Sequence, residues 1–253
     1  MQFVTVLSYI IVALFGLMIG SFLNVCIIRI PKGESIVTAP SHCMRCGQRI
    51  KWYELIPVFS WLILKGRCSG CKSPISAQYP LVEAVTGVLY TSIYYRFGIS
   101  VETLLYMSMT SALLALSVID FRTFEIPMGF NIFLAVVGLA RVATDPGNWL
   151  LYLIGFFAVS VFLLIVFLIT GGRGIGGGDI KLMAVCGLIL GWKLILVAFI
   201  LGCVLGSILH LIRMSVKKEG AVLAFGPYLS LGVLIAALWG AGILNAYLSL
   251  FNL

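Results

Sequence analysis

The chain has 253 residues, of which 61% are hydrophobic and 10% are charged, and its formal net charge is +8. Soluble domains carry about a quarter charged residues, so this composition excludes an ordinary soluble globular protein. Because a transmembrane helix needs about 20 apolar residues, the sequence predicts an all-α polytopic membrane protein. About eight transmembrane helices are expected, at 3–28, 79–95, 104–119, 127–142, 149–170, 180–191, 194–212 and 226–248.

The first predicted helix is expected to stay in the membrane and not to be removed as a signal peptide. No basic residue precedes its apolar stretch, and Arg29 and Lys32 follow it directly. It is the first of three predicted parts, which are the helix at 1–28, a cytoplasmic cysteine-rich loop domain at 29–78 and a seven-helix bundle at 79–253.

The basic residues divide unevenly between the two sides of the predicted membrane. Of the 17 Lys and Arg residues, 14 lie on one side and three lie on the other. The three are Arg96, Arg141 and Lys193. The positive-inside rule makes the side with 14 cytoplasmic and places both termini outside. Contact with anionic lipid headgroups is a further expectation, whereas nothing separately indicates nucleic acid binding.

The loop domain contains two C-x2-C pairs that are separated by 21 residues. Their members are Cys43, Cys46, Cys68 and Cys71. Two such pairs can supply four thiolates in a tetrahedron, which is the arrangement of structural zinc sites. Gly47 and Gly70 would suit the tight turns that aim backbone N–H groups at the sulfurs. Two disulfides or a redox-active pair are the alternative, although disulfides rarely persist in the reducing cytoplasm.

Carboxylates at membrane depth are costly, so an acidic residue at the edge of an apolar span is a candidate functional residue. Asp120 ends the third span, and Asp179 follows the glycine run 176–178 that precedes the sixth. Both fall on the predicted cytoplasmic side, where they can meet. Two carboxylates that share a site cannot both ionise easily, so one would serve as a general base while the other serves as an acid. The glycines would let a substrate backbone pass close to Asp179.

Each of these acidic residues also has a structural interpretation. Asp120 would pair with Arg122, and Asp179 with Lys181, as interfacial charges or helix caps. Glu83, just inside the second span, would either bind a polar group of the bundle or take part in the chemistry.

Several motifs spread over nearly the whole chain point together to one known family. They are G-S-F-L-N-V at 20–25, the loop with two cysteine pairs, W-Y-E-L-I-P-V at 52–58, Y-P-L-V-E at 79–83, the Asp120 segment that ends in I-P at 126–127, the G-x-G-D signature at 176–179 and F-G-P-Y at 225–228. In these residues the chain resembles the bacterial prepilin peptidases, also called type IV leader peptidases. The resemblance implies Asp120 and Asp179 as catalytic residues and the four loop cysteines as metal ligands.

The resemblance also implies a function, that of an intramembrane aspartyl endopeptidase of the bacterial inner membrane. Family members remove the leader of type IV prepilins or type II secretion pseudopilins at the cytoplasmic face, and many then N-methylate the new N-terminal residue. Structural zinc and S-adenosylmethionine are the implied cofactors, although no nucleotide-binding motif identifies contacts for the second.

Three alternatives to this function are considered. A proton- or ion-coupled transporter is the first, and the absence of an internal repeat in the sequence argues against it. An archaeal preflagellin peptidase would lack the cysteine loop. A non-enzymatic zinc-ribbon adaptor would leave the membrane aspartates unexplained.

Overall fold

The computed structural model describes residues 2–38, 40–217 and 224–250, and these ranges are helical apart from two isolated β-bridges and the connecting loops. The predicted all-α class is therefore confirmed. The α-helices within the described ranges are α1 Gln2–Arg29, α2 Phe59–Ile63, α3 Gln78–Phe97, α4 Val101–Thr123, α5 Met128–Thr144, α6 Trp149–Ala158, α7 Ser160–Thr170, α8 Gly177–Leu190, α9 Trp192–Lys217 and α10 Gly226–Ser249. Lys218 is one of the 14 basic residues that are predicted to be cytoplasmic, and it lies outside the described residues. The same is true of positions 1 and 251–253, which begin the first predicted part and end the third.

Five helical segments are long and apolar enough to cross a membrane, judged by length and composition. They are Val4–Lys32, Val101–Thr123, Pro146–Thr170, Trp192–Ile212 and Gly226–Ser249. Each of the eight predicted spans coincides with helix, but α3, α5 and α8 are not among these five. The count of eight membrane crossings therefore stays a prediction.

The chain divides into two compact units, residues 1–103 and 104–253. Within the first unit, α1 packs along α3. Glycines allow the close approach of these two helices, because a Cβ on Gly20 would lie 2.6 Å from the Cα of Glu83. The three predicted parts meet at residues 28 and 78, where apolar sequence changes to polar sequence and back. These boundaries stay a prediction.

Within the second unit, α8 is the central helix. It packs against α5, α6, α7, α9 and α10. Nine of its 14 residues are buried, among them Asp179. At the crossing with α6, the backbone of Gly187 lies directly against that of Gly155, where side chains would not fit. This helix has only 14 residues, and the packing of other helices on several of its sides stabilises its position.

Candidate active site and metal centre

Asp120 lies in the last turn of α4 and is 5% exposed. Its Oδ2 atom accepts a hydrogen bond of 3.0 Å from the backbone N–H of Gly226, the first residue of α10. The first N–H groups of a helix have no partner within the helix, so a carboxylate is a natural acceptor for them. The start of α10 therefore fixes the position of the Asp120 carboxyl group.

Asp179 lies in the first turn of α8 and is 8% exposed. Its backbone N–H donates to the carbonyl of Gly176 over 3.2 Å, which closes the first turn of this helix. The Asp120 carboxyl group lies near enough to that of Asp179 for the two to interact electrostatically. The structure thus brings together the two aspartates that the sequence singles out.

The side chain of Ile126 connects the surroundings of the two aspartates. Its Cβ lies 3.1 Å from where a Cβ on Gly178 would be, and its Cδ1 lies 3.3 Å from the corresponding position on Gly226. Ile126 therefore packs both on the residue before Asp179 and on the donor to Asp120. It forms an apolar wall for the pair.

In the alternative interpretation, each aspartate pairs with a nearby basic residue. The structure does not show these pairs. Arg122 and Lys181 are exposed, whereas both aspartates are buried. In the part of the chain that the structure describes, neither carboxylate forms an ion pair with these residues. A buried carboxylate without a counter-charge is costly, which is typical of a functional site.

The glycine run before α8 contains residues with different surroundings. A Cβ on Gly177 would meet nothing within 4 Å, whereas one on Gly178 would press on Ile126. Gly178 is therefore a packing residue. Gly177 borders open space, which is compatible with the predicted passage of a substrate backbone close to Asp179.

Sequence reasoning assigned no role to several buried residues of the second unit. The role of Gly226 could not be read from its motif, because its partner lies 106 positions away. Asn131 and Ser230 are also buried, and their side-chain polar atoms have no hydrogen-bond partner among the described residues. Buried amides and hydroxyls normally have partners, so these two positions are candidates for holding an internal water.

Replacing Gly226 with alanine is expected to impair the site, because the added Cβ would lie 2.6 Å from Oδ2 of Asp120. Displacing a catalytic carboxylate by even an ångström costs roughly 100-fold in rate, so we expect a loss of about that size in the activity proposed below. The control is Gly129→Ala, since its Cβ would meet nothing within 4 Å. Equal activities of the two variants, measured on purified protein, would contradict the role of Gly226.

The four loop cysteines converge in the first unit. Their sulfur atoms all lie within 4.8 Å of one another, and the sulfurs of Cys43 and Cys71 are 3.8 Å apart. A zinc ion with Zn–S bonds of about 2.3 Å holds tetrahedral sulfurs roughly 3.8 Å apart, so the donor set fits this ion. All four cysteines are free, which does not support the disulfide alternative.

Each C-x2-C pair sits in a short hairpin that is closed by one β-bridge, His42 with Arg49 and Arg67 with Pro74. The residue after each pair has a positive φ, at Gly47 in the first hairpin and at Lys72 in the second. Gly70 also lies in the turn of its hairpin, as expected. Gly70 has no positive φ, but a Cβ there would collide with the side chain of Gln48.

Hydrogen bonds and crowding act in opposite directions on these thiols. Backbone N–H groups, that of Cys46 first, lower the pKa of Cys43 to about 6. The pKa of Cys71 is also lowered, chiefly by the side chain of Ser73. The N–H of Gln48 lowers the pKa of Cys46, but contacts with the neighbouring thiols, that of Cys71 first, outweigh it and raise this pKa to about 11. A bound cation would allow all four sulfurs to ionise.

Both units of the chain match known protein families. Residues 14–97 match the Bacterial Peptidase A24 N-terminal domain, and residues 107–211 match the type IV leader peptidase family. A prepilin leader peptidase/N-methyltransferase of Pseudomonas putida is 34% identical over 89% of this chain and 88% of its own. Proteins of the same name from Bacillus subtilis (strain 168) and Stutzerimonas stutzeri are 36% and 32% identical, over 95% and 98% of this chain and 98% and 96% of theirs. No solved structure matches the chain.

Proposed function

Because the chain belongs to the type IV leader peptidase family, we propose that it removes the leader of type IV prepilins or type II secretion pseudopilins with Asp120 and Asp179 as its catalytic pair. The observation that carries the proposal is the buried pair of aspartates in the second unit, neither of which has a basic partner among the described residues. The chain is a multi-pass protein of the inner membrane.

The proposed mechanism divides the work between the two carboxyl groups. One aspartate is ionised and takes a proton from water as the water attacks the peptide carbonyl. The other keeps its proton, because two adjacent carboxylates do not ionise together, and it donates that proton to the developing oxyanion. The first aspartate then passes its proton to the leaving amine, and the C–N bond breaks as the second aspartate takes back a proton from the diol, which leaves the carboxylic acid product and returns both aspartates to their starting states. The N–H of Gly226 holds Asp120 in position throughout.

Methyl transfer to the new N-terminus is the second proposed activity, and the names of the relatives support it. When bound, S-adenosylmethionine supplies a methyl group on a sulfonium, and transfer to the pilin amine releases S-adenosylhomocysteine and one proton. The contribution of the chain is to bind the donor and the pilin amine and to exclude water from them.

Structural zinc is proposed for the cysteine cluster. Cys43, Cys46, Cys68 and Cys71 would fill all four positions of the ion, so no position is left for the activated water that a catalytic zinc needs. Zinc would therefore shape the loop domain at 29–78 and take no part in hydrolysis.

The experiment that tests the proposed hydrolysis uses the purified protein in detergent and a prepilin-like peptide. Cleavage into leader and mature fragments, observed without any ion gradient, is the expected result. A protein that leaves the peptide intact but moves protons or ions when reconstituted in vesicles would be a transporter, and the proposal would fail.

The proposed orientation has the loop domain and the cleavage reaction on the cytoplasmic side. A membrane-impermeant thiol reagent applied outside intact spheroplasts should then fail to label Cys43 and Cys71. The same reagent should label a Gly147→Cys variant beside Asp145, where the added side chain would meet nothing within 4 Å. Labelling of the loop cysteines from outside would contradict the orientation.

A further inference from the structure

The first unit contains a cavity of about 970 Å³ between α1, α3 and the cysteine loop. Small-molecule sites in proteins have volumes of roughly 300–1,000 Å³ and a mainly apolar lining with a few polar groups. The lining of this cavity has that character and includes Asn24 of α1, Trp61 of α2 and Glu83 of α3. Two cysteines of the cluster, Cys43 and Cys68, also line the cavity, whereas the proposed hydrolysis does not use it.

Glu83 is a buried acidic residue of the cavity wall. Its side chain is 6% exposed and accepts the backbone N–H of Val58 at 2.7 Å. No basic side chain pairs with Glu83 within the described ranges of the chain. A buried carboxylate that faces a cavity without a counter-charge favours a positively charged ligand.

The partner of Glu83 in the loop has a strained backbone. Val58 has φ +63° and ψ −53°, and the N–H of Phe59 donates to the carbonyl of Pro57 over 2.6 Å, which forms a γ-turn. A positive φ is costly for a β-branched residue, and such strain concentrates at ligand sites. Glu83 thus holds a strained turn at the wall of the cavity.

Two further groups give the cavity a mixed character. Arg29 is 8% exposed, lines the cavity and donates to the carbonyls of Ser35 and Pro40. Trp61 is fixed by the hydrogen bond from its indole N–H to the carbonyl of Ile75. The wall therefore combines a negative charge, a positive charge and an aromatic ring.

We propose that this cavity binds S-adenosylmethionine, with the Glu83 carboxylate facing a positively charged group of that ligand. The ligand carries a sulfonium, an α-ammonium, a carboxylate and an adenine ring, so each feature of the wall has a counterpart in it. The cavity is large enough for a ligand of this size. The inference rests on the proposed methyl transfer, and it assigns the donor site to residues 21–83.

The test is the affinity of the purified full chain for S-adenosylmethionine and S-adenosylhomocysteine, measured by calorimetry in detergent. Glu83→Gln removes the charge but keeps an oxygen that can accept the N–H of Val58. Since truncating one partner of a buried charge pair costs binding strongly, we expect S-adenosylmethionine to bind at least about tenfold more weakly. If S-adenosylhomocysteine keeps its affinity, Glu83 faces the sulfonium; if both weaken, Glu83 faces the ammonium.

Two variants control this measurement. Glu102→Gln removes the same charge in the same unit but outside the cavity lining, and it should bind S-adenosylmethionine as the unchanged chain does. Ser60→Trp places an indole in the cavity while Glu83 stays intact, and it should abolish binding. This variant tests the cavity even if Glu83→Gln does not fold.

The inference is overturned if both Glu83→Gln and Ser60→Trp bind S-adenosylmethionine with unchanged affinity. It is also overturned if Glu83→Gln weakens binding only of a peptide with the mature pilin N-terminus, because the carboxylate would then face the pilin amine. A chain that cleaves prepilin but does not bind S-adenosylmethionine would refute this inference and leave the proposed peptidase intact. A chain that binds S-adenosylmethionine but does not cleave prepilin would refute the proposed peptidase and leave this inference intact.

Discussion

Asp120→Asn and Asp179→Asn are each expected to abolish leader removal while the protein remains inserted in the membrane. An amide can neither take a proton from water nor donate one as a carboxylic acid does. General acid–base groups typically contribute 100- to 10,000-fold, so the residual rate should be about a thousandth or less. The measurement is the mobility of the pilin in cells that express each variant, with the amount of membrane-inserted variant quantified in parallel.

The matched control for these variants is Asp145→Asn. Asp145 belongs to the same unit, is half-buried and accepts hydrogen bonds from Tyr152 and Asn148, which an asparagine oxygen can also accept. This variant should process the pilin normally. Normal processing by either Asp120→Asn or Asp179→Asn would show that the pair is not catalytic.

Loss of the metal site is the second large effect that we expect. A Cys46→Ser, Cys71→Ser double variant should contain less than about a tenth of the zinc of the unchanged chain, because structural sites need four ligands. Zinc contributes about 10–16 kcal/mol in small zinc domains, which is more than a core of this size supplies. The loop at 29–78 should then unfold, and methyl transfer should fall at least as far as cleavage, since transfer needs a second ligand held in place.

Metal analysis and both activity assays on the purified protein provide this test, with limited proteolysis as the measure of loop folding. Cys203→Ser is the matched control, because Cys203 is half-buried in α9 and lies outside the cluster. It should leave zinc content, cleavage and methyl transfer unchanged. Stoichiometric zinc in the double variant, or full activity of that variant in both reactions, would remove the proposed structural role of zinc.

The helices and the cysteine cluster are the parts that the sequence predicts well. Apolar runs locate helices because each run must satisfy its backbone hydrogen bonds internally. The cysteine cluster is predictable because each C-x2-C pair forms its own local hairpin, closed for example by the bridge between His42 and Arg49. The backbone conformation within each turn is harder to predict, as the positive φ of Lys72 shows, because a residue that its surroundings hold firmly can adopt this conformation whatever its type.

Contacts between distant segments are the parts that the sequence does not predict. The Gly226 to Asp120 hydrogen bond joins positions 106 apart, and the Val58 to Glu83 bond joins positions 25 apart. In both, a backbone N–H is the donor, and every residue type except proline has that group. Residue identity therefore carries no signal for these bonds, although it identifies the carboxylates that accept them.

The central claim is that Asp120 and Asp179 act as one catalytic unit, and a double-mutant comparison tests it most directly. The measurement is the rate of prepilin peptide cleavage by purified Asp120→Asn, Asp179→Asn and the double variant, in detergent and with equal amounts of folded protein. Groups that act as a unit lose their contribution together, so the double variant should cleave no more slowly than either single variant. Losses that multiply in the double variant, or a single variant with a nearly normal rate, would contradict the claim.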